Sequence, residues 1–587
     1  MQSRLSEKKW TWMGLLALVL SLAVLFSCLG SMALTDRDEG EYAASVSAMF
    51  RSGDFVVPTL NGRLYLEKPI LVFWAMAASR AVFGDGEMAA RLPSAVSAFL
   101  VLLLAAWLVR RTQKDPAWTT LTCVAAVFTP LFLLVGRACL TDMLLTLFTT
   151  ASLVCFHLAV ESGEQPLKAR NFYLLGWTAL GFGFLTKGPV APAVVLPVCF
   201  FYALWQRRLW QILKACRIHW GILIFVVINL PWYGLVFWKL GEVFWRSFFV
   251  AQNINRFTEV LLGHGGGFLY YLPVLLVGLF PFSSVVLADL GGGFVKNFKA
   301  GKQADQVQRL RFFAGLCLVW VLIVFSLAAT KQINYILPGF PFAAVLAGHF
   351  LAKRVFPGQM GKATKAIYSW GLILVSAIWL VVMLALAFGL PLFWDQILGS
   401  IRPDSSEYAL PEAAPLFLFW PLAGMAGVLI CLSGWYLLKK GKPAFSVAGI
   451  AVGAMLFSST LILGLLPNVA NVMQDPSRQL ARQAVKLIPD EARVVTYGLW
   501  KPSLFYYLDQ DLERFRVDDL EKLKNKAQSA KPFFAFTRVT LRDRLENGAD
   551  LSVLAVKGGY MLVGNESARR VWETGTGKDQ LKTGGQG

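Results

Sequence analysis

Unbroken apolar runs of about 20 residues recur along this chain, and no other feature constrains its folding more. Each run is long enough to cross a bilayer as a helix, which satisfies its own backbone donors and acceptors where no water is present. The runs do not alternate apolar with polar residues, so a membrane β-barrel is excluded. Only 16% of the 587 residues are charged, against roughly a quarter in soluble proteins, and a water-soluble enzyme is excluded with it. The net charge of +20 is scattered between the apolar runs and gathers on no one domain, which argues against nucleic-acid binding. The eight cysteines fall mostly inside the runs, as Cys123, Cys155 and Cys317 do. They read as small apolar residues, with neither a disulfide framework nor a CxxC metal site.

A window of about 19 residues predicts about thirteen spans, near 10–34, 92–109, 117–136, 141–160, 171–186, 188–205, 218–238, 268–290, 312–329, 335–351, 367–390, 415–437 and 444–466. Basic clusters occupy every second loop, among them Lys8/Lys9, Arg110/Arg111/Lys114, Arg207/Arg208/Lys214 and Lys439/Lys440/Lys442. The intervening loops are mixed or acidic, as at Asp395, Asp404, Glu407 and Glu412 around Arg402. This alternation predicts a cytoplasmic N-terminus and a periplasmic C-terminal part. The acidic stretch 35–42 stands where a cleavage site would lie, so the first run is read as a retained helix.

Residues 1–466 are therefore expected to form a transmembrane domain. Its first outer loop, 35–91, contains two weakly apolar pieces, 39–50 and 70–83, too short to span and predicted to lie as helices on the membrane surface. Residues 467–572 are predicted to form a small periplasmic α/β domain. Helical periodicity covers 477–488, and strands are expected at 493–499, 532–537 and 551–563, the last with a Gly558-Gly559 turn. The Gly/Thr/Lys-rich residues 573–587 read as a disordered tail.

Ionisable groups are costly in hydrocarbon, so those that are not cytoplasmic anchors mark function. They collect in the outer turns. Asp36, Asp38, Glu39 and Glu41 follow the first span, then come Arg63, Glu67-Lys68-Pro69 and Arg91. Arg137 and Asp142, Lys187-Gly188-Pro189, Arg256, His264, and Lys331 with Tyr335 complete the set. Brought together, they would make a mixed cavity of carboxylates and cations at membrane level. Such a cavity suits a substrate with a lipid tail and a phosphate head, the tail between helices and the phosphate against Arg and Lys. A carboxylate there could orient or deprotonate an acceptor that attacks a sugar carbon while the cations stabilise the departing phosphate. The plainer reading of 36–41 is a hydrated acidic loop.

The motifs carry more than the cluster does. In order they are Asp38-Glu39-Gly40-Glu41-Tyr42, Leu60-Asn61-Gly62, Tyr65-Leu66-Glu67-Lys68-Pro69, Arg91-Leu92-Pro93, Thr141-Asp142, Thr186-Lys187-Gly188-Pro189, Asn255-Arg256-Phe257, His264-Gly265, and Lys331 through Tyr335-Ile336-Leu337-Pro338. With this ordered set the chain resembles the GT-C membrane glycosyltransferases of the dolichyl-phosphate-mannose-protein mannosyltransferase-like group. Within that group it is most similar to the bacterial 4-amino-4-deoxy-L-arabinose lipid A transferases. The resemblance covers about residues 30–350 and implies about thirteen helices, surface helices in the first outer loop and a C-terminal periplasmic domain. It also implies transfer of a sugar, such as 4-amino-4-deoxy-L-arabinose, from an undecaprenyl-phosphate donor to lipid A or another acceptor facing the periplasm, at the inner membrane.

By the same resemblance Asp38 matches the acid at the catalytic centre, with a helix N-cap as its ordinary alternative. Lys68 matches a lysine near the donor phosphate, with interfacial snorkelling as its alternative. Asp142 is expected to close the cavity wall or to pair with Arg137. Glu39, Tyr42, Arg63, Arg91, Lys187, Arg256, Lys331 and Tyr335 are candidate substrate or phosphate contacts, and Glu67 with His264 is the candidate pair for a divalent metal ion. Two positions depart from the pattern. Ile70 follows Glu-Lys-Pro where a second proline is common, and Ile333 stands two residues before Tyr335 where proline is common. A protein O-mannosyltransferase-like enzyme is the nearest alternative function. A lipid or solute transporter is a more distant one, because no internal repeat is found and few charges lie mid-span. A structural module of an envelope assembly is a third.

Overall fold

The computed structural model describes residues 7–163, 165–261, 263–400, 409–411, 414–415 and 417–583. Arg402, Asp404, Glu407 and Glu412, read above as an acidic outer loop, lie outside these residues. The chain divides into two compact units. One comprises residues up to Leu29 together with Leu66–Ala385 and Phe419–Gly464. The other comprises Gly30–Tyr65, Leu386–Leu418 and Leu465–Gly587.

The first unit is built from apolar helices. Among the described residues nine are long and apolar enough to cross a membrane, or eleven if two bent pairs each count as one span. The pairs are Pro116–Val127 with Pro130–Gly136, bent by 66°, and Phe268–Gly278 with Ser283–Gly291, bent by 118°. The first bend has a local cause: Thr129 precedes a proline, whose ring disfavours helical backbone there, and its φ/ψ of −120°/138° is extended. The two remaining expected spans are also helical. Pro166–Lys187 begins with Lys168 and Arg170 and is interrupted by glycines, while Val190–Trp205 has only 16 residues. The protein is thus an α-helical polytopic membrane protein, and among the described residues nine to eleven of the thirteen expected spans meet these criteria of length and hydropathy.

The second unit contains a hairpin of β1 (Thr59–Leu60) and β2 (Arg63–Leu64) and a five-stranded mixed sheet. Asn61 and Gly62 both take positive φ, 51° and 71°, as a two-residue hairpin turn requires. The sheet consists of β3 (Arg493–Tyr497), β4 (Glu513–Phe515), β5 (Phe533–Arg538), β6 (Ser552–Lys557) and β7 (Tyr560–Gly564), in the order β4-β3-β5-β7-β6. β3 runs parallel to β4 and β5, and β7 antiparallel to β5 and β6. Val495, Tyr497, Phe533, Ala535, Leu545, Met561 and Val563 fill its core. The helix Asp475–Leu487 and the turn at Gly558-Gly559 fall where the sequence places them.

Three expectations need correction. The membrane domain does not run unbroken from 1 to 466, because Gly30–Tyr65 and Leu386–Leu418 pack with the C-terminal residues. The helix Asp38–Ser52, expected on the membrane surface, is buried at almost every position from Glu39 to Met49. Its small side chains (Ala43, Ala44, Ser45, Ser47, Ala48) allow close packing on all sides, where an interfacial helix would keep one face in water. The helix Glu566–Thr583 runs through the first part of the tail expected to be disordered. The other first-loop helix, Leu71–Phe83, does keep an outward apolar face, with Trp74, Val82 and Phe83 exposed.

Candidate active site

In the helical unit a cavity of about 530 Å³ is bounded by the 67–69 turn, the residues around Lys187, the segment Trp245–Thr258 and the residues after helix Gln306–Leu327. Trp245, Phe248, Phe249, Phe257 and Phe325 give it apolar walls, and Glu67, Lys68, Gln252, Lys187, Arg256 and Tyr335 supply its polar groups. Trp245–Asn255 is π-helical, a wide turn that is frequent at functional sites.

Lys187 is the last residue of its helix and Gly188 ends it with φ +63°. A Cβ at Gly188 would lie 2.9 Å from the Phe248 ring, so the turn needs glycine both for its backbone and for the space. The Lys187 ammonium donates to Asp142 Oδ1 at 2.7 Å and lies 4.5 Å over the Tyr335 ring. Asp142 is buried in the first turn of Thr141–Glu161, where the helix dipole favours a carboxylate. Its partner is therefore Lys187, while Arg137 donates to the carbonyls of Val24 (2.6 Å) and Leu25 (3.1 Å). Lys68 is buried, with Glu67 a looser 4.0 Å from its ammonium. Arg256 Nη1 donates to Gln252 at 3.1 Å.

A second space, an apolar groove of about 710 Å³, is lined by Phe184, Phe225, Tyr233, Phe237 and Phe244 and shares Trp245 and Phe249 with the cavity. Sequence reasoning missed this element. The aromatic run Phe244-Trp245…Phe248-Phe249 was the signal that could have found it.

Several expected contacts are occupied elsewhere. Arg91 is buried and its Nη1 donates to the Leu29 carbonyl at 2.9 Å. Lys331 donates to the carbonyls of Ser326 (2.9 Å) and Ala328, so it caps the end of Gln306–Leu327, and burial lowers its pKa. Neither is among the residues that line the cavity. The His264 carbonyl accepts the Lys331 N–H at 2.8 Å. Among the described residues no group of three or more His, Cys, Asp or Glu side chains is placed to hold a metal ion.

The remaining candidates belong to the second unit. Asp38 opens the helix Asp38–Ser52, half-buried, and its Oδ1 accepts the Tyr42 hydroxyl at 3.3 Å. The N-cap position falls on Arg37, with no side-chain cap, so Asp38 is not the capping group its ordinary reading suggested. Glu39 is buried and reaches back to Thr35, accepting from its N–H and its hydroxyl at 2.9 Å each. The Tyr65 hydroxyl donates to Glu41 at 2.8 Å, and Arg63 is exposed on β2.

Helices of this length and number, with an apolar-walled cavity that holds a few charged groups beside an aromatic groove, define a polytopic membrane protein, and its fold is that of the GT-C glycosyltransferases. The crystal structure of ArnT from Cupriavidus metallidurans bound to undecaprenyl phosphate is similar with a TM-score of 0.74 and 22% identity, over 94% of this chain and 98% of that one. The family model for dolichyl-phosphate-mannose-protein mannosyltransferase matches residues 8–243. An undecaprenyl phosphate-alpha-4-amino-4-deoxy-L-arabinose arabinosyl transferase of Edwardsiella ictaluri is 32% identical over 59% of this chain, and the match spans 61% of that relative. A protein of the same name, numbered 2, from Pseudomonas fluorescens is 30% identical over 70% of this chain and 68% of its own length. The chain belongs to the undecaprenyl phosphate-alpha-4-amino-4-deoxy-L-arabinose arabinosyl transferase family.

Proposed function

We propose that this protein transfers 4-amino-4-deoxy-L-arabinose from an undecaprenyl-phosphate carrier to lipid A, or to a related acceptor, at the periplasmic face of the bacterial inner membrane. The observation that carries the proposal is the pairing of a cationic cavity with an apolar groove through two shared rings, Trp245 and Phe249. The prenyl tail fits the groove, and the phosphate fits against Lys68, Lys187 and Arg256.

Charge balance supports this assignment. Lys68, Lys187 and Arg256 stand against the carboxylates of Glu67 and Asp142, which leaves one net positive charge about the cavity. The donor phosphodiester carries one negative charge and gains a second as it leaves. The acceptor oxygen attacks the anomeric carbon, the bond from that carbon to the phosphate oxygen breaks, and undecaprenyl phosphate departs with the electron pair. Preorganised cations stabilise this developing charge more than the ground state, which is the condition for accelerating the step. Asp38 is assigned to the acceptor. A lipid A phosphate arrives ionised and needs only orientation, whereas a hydroxyl would pass its proton to Asp38. The basic clusters in alternate loops support a cytoplasmic N-terminus and a periplasmic C-terminal domain.

The test is mass spectrometry of lipid A from cells with and without this protein, and with Asp38→Asn. A gain of one aminopentose that depends on the intact Asp38 is expected. A hexose gain, or sugar on protein in place of lipid A, would move the assignment to the O-mannosyltransferase-like alternative. Movement of a lipid or solute with no new glycosidic product would mean a transporter.

A further inference from the structure

Asp36 and Lys501 are 465 residues apart in sequence and form an ion pair inside the second unit. Their side chains are only 1% and 0% exposed. Oδ2 of Asp36 takes the Lys501 ammonium, and Oδ1 takes the Ser503 N–H at 3.1 Å. The ammonium also donates to Gln474 Oε1 (2.9 Å) and the Tyr560 hydroxyl (3.2 Å). Burial alone would lower the Lys501 pKa, but the Asp36 carboxylate and Tyr560 outweigh it and raise the value, so the lysine stays charged at neutral pH.

Four residues further along, Gly40 presses its backbone on the same place. A Cβ there would fall 2.7 Å from the Ser503 nitrogen, which only glycine avoids. Between these fixed points lies Arg37, whose φ of +67° is strained for a residue with a side chain. Such strain persists only where the surroundings over-determine it, and it concentrates at functional sites. Of the two residues held between Arg37 and Gly40, Glu39 turns back to Thr35 and Asp38 accepts from the Tyr42 hydroxyl.

We infer that Lys501 is a positioning residue for sugar transfer: through Asp36 it holds Arg37 in its strained conformation and thereby fixes the carboxylate of Asp38 for the acceptor. The inference rests on the catalytic assignment of Asp38 proposed above. It gives the C-terminal domain a part in the reaction, although that domain need not touch either substrate.

The test uses the full chain in lipid nanodiscs, with an undecaprenyl phosphate-linked aminopentose as donor and lipid A as acceptor. Lys501→Met alone leaves a buried carboxylate unpaired and risks misfolding. The Asp36→Asn/Lys501→Met double variant removes both charges and keeps the shape. In the double variant kcat should fall on the order of 10- to 100-fold while both KM values stay within about threefold, because geometry is lost and binding is not. Amide exchange over residues 35–42 should quicken, and Lys501→Arg, which keeps the charge, should recover most of the turnover. Arg51→Ala breaks the exposed pairs of the same unit to Asp509 (2.7 Å) and Asp511 (3.2 Å) and should leave turnover near wild type. A folded double variant with kcat within twofold of wild type overturns the inference, as does a turnover loss equal in Arg51→Ala. Asp38→Asn separates the two readings. If it is inactive while the double variant is normal, only the role of Lys501 fails, whereas full activity in Asp38→Asn removes the catalytic assignment itself.

Discussion

Lys187 is held from two directions, by the Asp142 carboxylate at 2.7 Å and by the face of Tyr335 at 4.5 Å. A lysine on a flexible stem would otherwise spend part of its time elsewhere, and the two contacts fix its charge where a phosphate is proposed to sit. Asp142→Asn should therefore cost more than one neutralised carboxylate, since the buried ammonium loses its partner. We expect a loss of about 3–5 kcal/mol in stability, measured by thermal unfolding in detergent, together with weakened donor binding. The two residues were both visible in the sequence as polar groups at span ends, but 45 residues of chain separate them and no periodicity links such a pair. Arg91 and Lys331 show the reverse difficulty of reading a cation from sequence. A cation that satisfies backbone carbonyls looks the same in sequence as one awaiting a phosphate, and both serve carbonyls here.

At the level of elements, the helices were legible because a bilayer demands long apolar runs, and among the described residues each expected span falls mainly on helix. Their bends and lengths were less legible, since a single proline, as at Pro130, decides whether one run makes one rod or two. The helix Asp38–Ser52 was found at nearly its true limits, yet its burial was not, because alanine and serine carry little apolar signal while packing closely. The three-residue strand β4 gave no signal at all. Three other elements are tied by a buried cluster that the sequence did not reveal. Asp289 of Ser283–Ala300 accepts from Arg311 of Gln306–Leu327 (2.9 and 3.1 Å) and meets His349 Nδ1 of Phe340–Phe350 at 2.8 Å. Arg311→Met would leave that carboxylate with the histidine alone. We expect thermal unfolding to show a loss of about 3–5 kcal/mol, with donor KM in the surviving protein unchanged.

For the molecule as a whole, the second unit is assembled from three separated stretches of chain, so its stability depends on all of them. A chain cut after Gly464 would keep 30–65 but remove the residues against which Asp38–Ser52 is buried. We expect such a variant to reach the membrane, to be cleaved by protease within 30–65, and to transfer no sugar. Limited proteolysis of membranes and the lipid A assay would check both outcomes, and retained activity would show that the C-terminal residues are dispensable.

Trp245 and Phe249 line both the cavity proposed for the phosphate head and the apolar trough proposed for the tail. A carrier cut to a few isoprene units would leave part of that trough empty, and the rings would have less to rest against just where the sugar must be aligned. Lipid length would then act as a gauge of reactivity: short carriers should be turned over more slowly even at saturation. A plot of maximal rate against isoprene number should climb and then level off once the trough is filled, whereas a flat plot would mean that the tail serves only to anchor.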